Sequence, residues 1–190
     1  VTVSGSGTAT SQNVANGITI TQGNLGTLAL GGSDAGSYNI NTIATNNLVT
    51  VDISKKPVNL TGSRIYDGTK TINSGAISAI GGTIGSESLT VSGNGTLNLG
   101  GAGSRTIADT SSFTLGNGSN GGIGGNYTLD GGTHSVTVSP KPVTIAGTKQ
   151  YDGDTVVHSN STEAAITLVS GESLLWTCLL YTSPSPRDRS

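Results

Sequence analysis

The feature that most constrains this chain is a long internal period. "RIYDGTKT" at 64–71 returns as "KQYDGDTV" at 149–156. Tyr66 and Tyr151 are 85 residues apart (151 − 66), as are Pro57 and Pro142 (142 − 57). Glu87 and Glu172, and Leu89 and Leu174, keep the same offset downstream. Separated landmarks sharing one offset indicate a repeated module. A second set of matches extends it to the N-terminus. "TVSGSGT" (2–8) aligns with "TVSGNGT" (90–96), and "GSYNI" (36–40) with "GNYTL" (125–129). Here the offset drifts to 88 for Val3 and Val91 (91 − 3) and to 89 for Tyr38 and Tyr127 (127 − 38), with extra residues near "ATNN" (44–47). The chain divides into 1–54, the back part of a truncated module; 55–139, a complete module; and 140–176, the front part of a further one.

Composition points to strands. Thirty of the 190 residues are Gly, which costs roughly 1 kcal/mol against Ala inside a helix. Ser, Thr and Asn, also abundant, compete for backbone hydrogen bonds outside helices. Apolar residues alternate: Val49, Val51, Ile53, then Val58, Leu60; and Val136, Val138, then Val143, Ile145. Period two buries one face of a strand and wets the other. The expected class is all-β: tandem small β-sandwich modules, immunoglobulin-like, in an elongated array. A β-grasp-like module, or a parallel β-helix for 1–54, is the alternative. Pro57 and Pro142 stand between alternating runs, where a residue without an N–H suits a strand start or an edge.

The tail does not follow the repeat. After "GESL" (171–174) the chain reads "LWTC" (175–178), then "LLYTSPSPRDRS", and it holds the only Trp and Cys. "CLLYTSPSPRD" (178–188) resembles translated sequencing adapter, so 177–190 are expected to be an artefact and the protein a fragment.

Tyr-Asp-Gly reads first as a structural device. Asp-Gly is a strong turn signal because both residues tolerate positive φ. The expected motif residues are Tyr66, Asp67, Gly68, Tyr151, Asp152 and Gly153, with Tyr38, Tyr127, Pro57 and Pro142 as further landmarks. The tyrosine ring would cover one end of a small core while its hydroxyl finds a backbone partner. The functional alternative is a carbohydrate site in which Tyr66 and Tyr151 stack on sugars. Asp152 and Asp154 flank Gly153, but Thr69 stands where Asp154 would align, which disfavours calcium. His134 and His158 have no second His at ligand spacing. No G-x-S-x-G motif with its partners stands out, and "GGIGG" (121–125) lacks a strand-to-helix setting for phosphate. No catalytic residue, metal or cofactor is expected. Five sequons, at Asn59, Asn94, Asn117, Asn126 and Asn160, allow glycosylation. The net charge of −2 leaves no footprint for nucleic acid, and no apolar run is long enough to span a bilayer.

"KPVNLTGSRIYDGTKT" (56–71) and "KPVTIAGTKQYDGDTV" (141–156), with "DAGSYNI" (34–40) and "GGNYTLDG…VTVSPKP" (124–142), resemble the YDG-type repeat of filamentous-haemagglutinin-like bacterial surface proteins secreted through an outer-membrane partner. The resemblance implies tandem β-modules of a large exported adhesin, without catalytic residues. The expected role is a stalk repeat that extends or presents a binding region. The alternative is a carbohydrate-binding module. The expected location is the extracellular or outer-membrane surface of a Gram-negative bacterium. Neighbouring repeats are the expected partners, with a host glycan or protein receptor engaged by the parent adhesin.

Overall fold

The computed structural model describes residues 1–20, 24–40, 49–146, 150–151, 153, 165–166 and 168–173. Asp152, Asp154, His158, Asn160 and the tail from 174 lie outside the described residues. The strands are β1 (Thr2–Ser4), β2 (Ala15–Thr19), β3 (Ala29–Gly31), β4 (Thr50–Ile53), β5 (Lys56–Pro57), β6 (Asn59–Ile65), β7 (Thr71–Asn73), β8 (Ile77–Gly81), β9 (Leu89–Leu97), β10 (Gly103–Asp109), β11 (Phe113–Asn117), β12 (Tyr127–Thr128), β13 (Ser135–Ser139), β14 (Ile145–Ala146) and β15 (Ala165–Ile166). Among the described residues the remaining regular elements are single 3₁₀ turns, so the class is all-β, as expected.

Residues 59–139 form one seven-stranded sheet ordered β11-β9-β10-β13-β6-β8, with β7 on the other side of β9. β7 and β8 are joined only by the 3₁₀ turn Ser74–Ala76, yet they pair with opposite ends of the path, β9 and β6. That short bridge pulls the edges together and curls the sheet into a half-barrel. A single curled sheet stands where two face-packed sheets were expected. The two opposing apolar faces of a sandwich are here supplied by one sheet bent on itself. No α-helix lies on the sheet among the described residues.

The curl encloses the core. Leu60 from β6, Ile72 from β7, Leu97 from β9, Ile107 from β10, Phe113 at the start of β11, and Val136 and Val138 from β13 form one buried cluster. Every member comes from between Leu60 and Val138. Burial along β6 and β13 alternates residue by residue, as the period-two pattern requires. Gly62 also faces inward, and a Cβ there would lie 2.4 Å from the Ala76 carbonyl oxygen. The bridging turn therefore crosses β6 where there is no side chain.

β6 and β13, the first and last long strands of this sheet, are parallel neighbours, Ser135 opposite Thr61 through Ser139 opposite Ile65. Parallel pairing sends both strands the same way. The chain enters the module at one end of the sheet and leaves at the other. Upstream, β5 pairs in parallel with β12, Thr128 opposite Pro57. Pro57 thus occupies a short edge pairing, in keeping with its missing N–H; Pro142 is exposed outside any strand.

The pairings of residues 1–54 repeat those of the module. Thr2, Val3 and Ser4 face Gly31, Leu30 and Ala29; Thr90, Val91 and Ser92 face Gly116, Leu115 and Thr114. Ala15 faces Ile53, as Gly103 faces Val138. All the strand pairs within the described part of 1–54 are antiparallel, so the parallel β-helix alternative is not what forms there.

Replacing Gly62 with Ala should cost about 1–3 kcal/mol, because the new methyl group meets backbone that cannot move aside without opening the curl. Gly81→Ala, where a Cβ would meet nothing within 4 Å, is the control. Urea denaturation of both variants checks this.

Candidate functional site

The Tyr-Asp-Gly turn connects β6 to β7, which lie on opposite sides of the sheet with β13, β10 and β9 between them. The turn must therefore carry the chain across the end of the half-barrel. Tyr66 donates its backbone N–H to Ser139 O at 2.8 Å, continuing the β6–β13 ladder by one bond. Asp67 Oδ1 then accepts the Thr69 N–H and the Thr69 hydroxyl, both at 2.9 Å. Gly68 sits at φ +81°, the left-handed region that Gly occupies without strain. The chain reaches its new side where Lys70 O accepts the Leu97 N–H at 2.8 Å.

Arg64 braces the turn from the concave side. Its side chain is 10% exposed; Nη1 forms an ion pair with Asp67, and Nη2 donates to Thr69 O. Partial desolvation would by itself raise the Asp67 carboxyl, but the Arg64 guanidinium and the two Thr69 donors outweigh it and hold the group below its ordinary value. This use of Asp67 as a turn staple accounts for the Asp of the motif without a ligand.

Tyr66 behaves differently from expectation. Its ring packs against the core cluster, but the hydroxyl donates to the Glu172 carboxylate, 106 residues away in sequence, and not to a backbone carbonyl. That hydrogen bond, then desolvation and the nearby negative charges, raises the phenol above its ordinary value. Gly68 approaches the same segment: a Cβ at Gly68 would lie 2.5 Å from Val169 Cγ1. Tyr127 has the parallel arrangement inside the module. It is buried, donates to Glu87, accepts the Ile84 N–H at 3.1 Å, and is raised chiefly by the Glu87 hydrogen bond.

The other landmarks divide. Gly153 has φ +82°, matching Gly68 at +81°. Tyr38 and Tyr151 are exposed, 64% and 94%, and are not brought together with Tyr66. His134, unremarkable in sequence, is a buried strut. Its Nδ1 accepts the Leu60 N–H at 3.1 Å, which leaves Nε2–H to donate to Leu129 O at 2.9 Å. Only its isolation from other metal-type ligands could be read from sequence, and no metal-type cluster occurs among the described residues. The loop 116–125 is fixed by Ser88, whose N–H reaches Ser119 O at 3.1 Å and whose Oγ lies 2.8 Å from the Ser119 hydroxyl. Three sequon side chains are already engaged: Asn59 with Thr133, Asn117 with Gly124, and Asn126 with Asn13 and Val14.

Comparison with known families agrees with this geometry. Residues 53–136 match the YDG domain. This segment carries a YDG domain. Its limits enclose β5 through the start of β13, every member of the core cluster except Val138, and the Tyr66–Gly68 turn. No curated protein and no solved structure gave a match.

Asp67→Ala should destabilise the YDG domain by about 1 kcal/mol, the usual net worth of a lost hydrogen-bonded cap. The pH dependence has a definite sign. Because the folded carboxyl lies below its unfolded value near 3.9, the stabilisation is fully present above about pH 4 and lost as pH falls through the folded value. Denaturation curves at pH 7 and pH 3 should differ less for Asp67→Asn than for the parent chain.

Proposed function

We propose that this chain is a stretch of structural stalk repeats from a large secreted or surface-anchored bacterial adhesin. Small all-β modules stand end to end, as immunoglobulin-like domains do in elongated arrays, and present a binding region carried elsewhere. The observation that carries the reading is the parallel pairing of β6 with β13. A module entered at one end and left at the other extends an array with each repeat. With about 3.3 Å per residue, the seven residues of β6 separate entry from exit by about 20 Å. The polar groups of the Tyr-Asp-Gly turn serve its own backbone and the segment that follows, which supports a scaffold role for the motif.

The stalk sits on the exported face of a Gram-negative cell in this reading. Neighbouring repeats are its immediate partners, and a host glycan or protein receptor is met by the parent adhesin. The carbohydrate-binding alternative asks Tyr66 and Tyr151 to offer stacking faces. Tyr66 is half-buried with its hydroxyl held by Glu172, which weighs against that use.

Small-angle scattering of chains carrying one, two and three copies of 55–139 between residues 54 and 140 tests the reading. The longest dimension should grow by a constant step on the order of 20–30 Å per copy, from the strand rise. Growth that levels off would mean that the copies fold back on one another, and a stalk would not result.

A further inference from the structure

Two grooves of the molecule are built from equivalent residues. One, of about 330 Å³, is lined by Tyr66, Gly101, Ala102, Lys141, Val169 and Glu172. The other, of about 280 Å³, is lined by Asn13, Val14, Lys56, Ile84, Glu87 and Tyr127. The offset of 85 carries Lys56 to Lys141, Ile84 to Val169 and Glu87 to Glu172; the offset of 88 carries Asn13 to Gly101 and Val14 to Ala102. The backbone matches as well. Glu87 N–H meets Ile84 O at 3.0 Å, and Glu172 N–H meets Val169 O at 3.1 Å.

The grooves differ in their contents. The Glu172 groove holds a Tyr-Asp-Gly turn: the Tyr66 hydroxyl is on the carboxylate and Gly68 is against Val169. The Glu87 groove, among the described residues, takes the hydroxyl of Tyr127 from within the module. An ionised carboxylate has two oxygens and about four acceptor sites, so one tyrosine does not saturate it. Next to the groove, Asn126 bonds the side chain of Asn13 and the backbone of Val14, both at 2.9 Å, which fixes residues 1–54 against the module.

We propose that the Glu87 groove is a docking site for the Tyr-Asp-Gly turn of a neighbouring copy of the module, whose tyrosine hydroxyl joins that of Tyr127 on the Glu87 carboxylate. The motif then acts forward along an array: each turn fastens onto the glutamate turn of the next module. This rests on the tandem reading above, and it adds which residues form the seam and which way it points. Lys56 and Lys141 line the two grooves at equivalent positions, one in each.

The test extends the full chain by repeating residues 55–88 ahead of Val1, so that Val1 takes the place of Leu89 and a Tyr-Asp-Gly turn precedes residues 1–54. Tyrosinate absorbance is titrated with pH, and Tyr→Phe variants assign each phenol. In the extended chain Glu87→Gln should relax two tyrosines toward the ordinary value, Tyr127 and the added one, and Glu172→Gln should relax Tyr66. If Glu87→Gln relaxes Tyr127 alone while the added residues contribute folded β signal in circular dichroism, the docking proposal is wrong and the tandem reading stands. If the added residues contribute no β signal, both fall together.

Discussion

The parallel contact between β6 and β13 is the constraint on which the rest of the molecule depends. It joins the first and last long strands of the module, so it closes a contact between residues more than seventy positions apart, at a corresponding loop-closure cost. That cost is offset by burial in the core, since Leu60, Val136 and Val138, all at most 1% exposed, lie on this pair. The polar supports gather there too. His134 ties Leu60 to Leu129, and the Tyr66 N–H extends the ladder to Ser139. Without this contact the sheet would separate into two antiparallel pieces, β6–β8 and β13–β10–β9 with β7 and β11, joined through the Ser74–Ala76 turn.

The same contact sets the task of the Tyr-Asp-Gly turn. Because β13, β10 and β9 lie between β6 and β7, the chain leaving β6 has to cross the end of the sheet. A turn with a left-handed residue at Gly68, a carboxylate holding two donors of Thr69 and an arginine bracing both makes that crossing locally self-sufficient. The tyrosine ring then packs against the core while its hydroxyl meets Glu172. Register equality between β1–β3 and β9–β11 shows the same sequence signals producing the same pairing twice in one chain.

Much of this was legible in the sequence and some was not. Alternation in 58–60 and 136–138 marked the buried faces, because period two follows directly from strand geometry. Asp-Gly marked the turn, and Lys56–Pro57 marked an edge, because both are local backbone effects. Strand order was hidden: alternation tells which face a residue takes but not which strand lies beside it, so the parallel pair, the curl and the inward Gly62 had no signature. Partners far away in the chain were equally hidden. Nothing around Tyr66 names Glu172, and His134 carries no local mark of the two backbone groups it joins. The glycine-rich 116–125 loop was legible as a loop, but its anchoring to Ser88 was not.

The direct measurement is the distance between spin labels at Lys56 and Lys141, by pulsed electron–electron resonance on the full chain. Parallel β6 and β13 predict a separation of about 20 Å or more, from the strand rise over seven residues. A separation under about 10 Å would put entry and exit at one end of the sheet, which only antiparallel strands allow, and the account of an extending array would be contradicted.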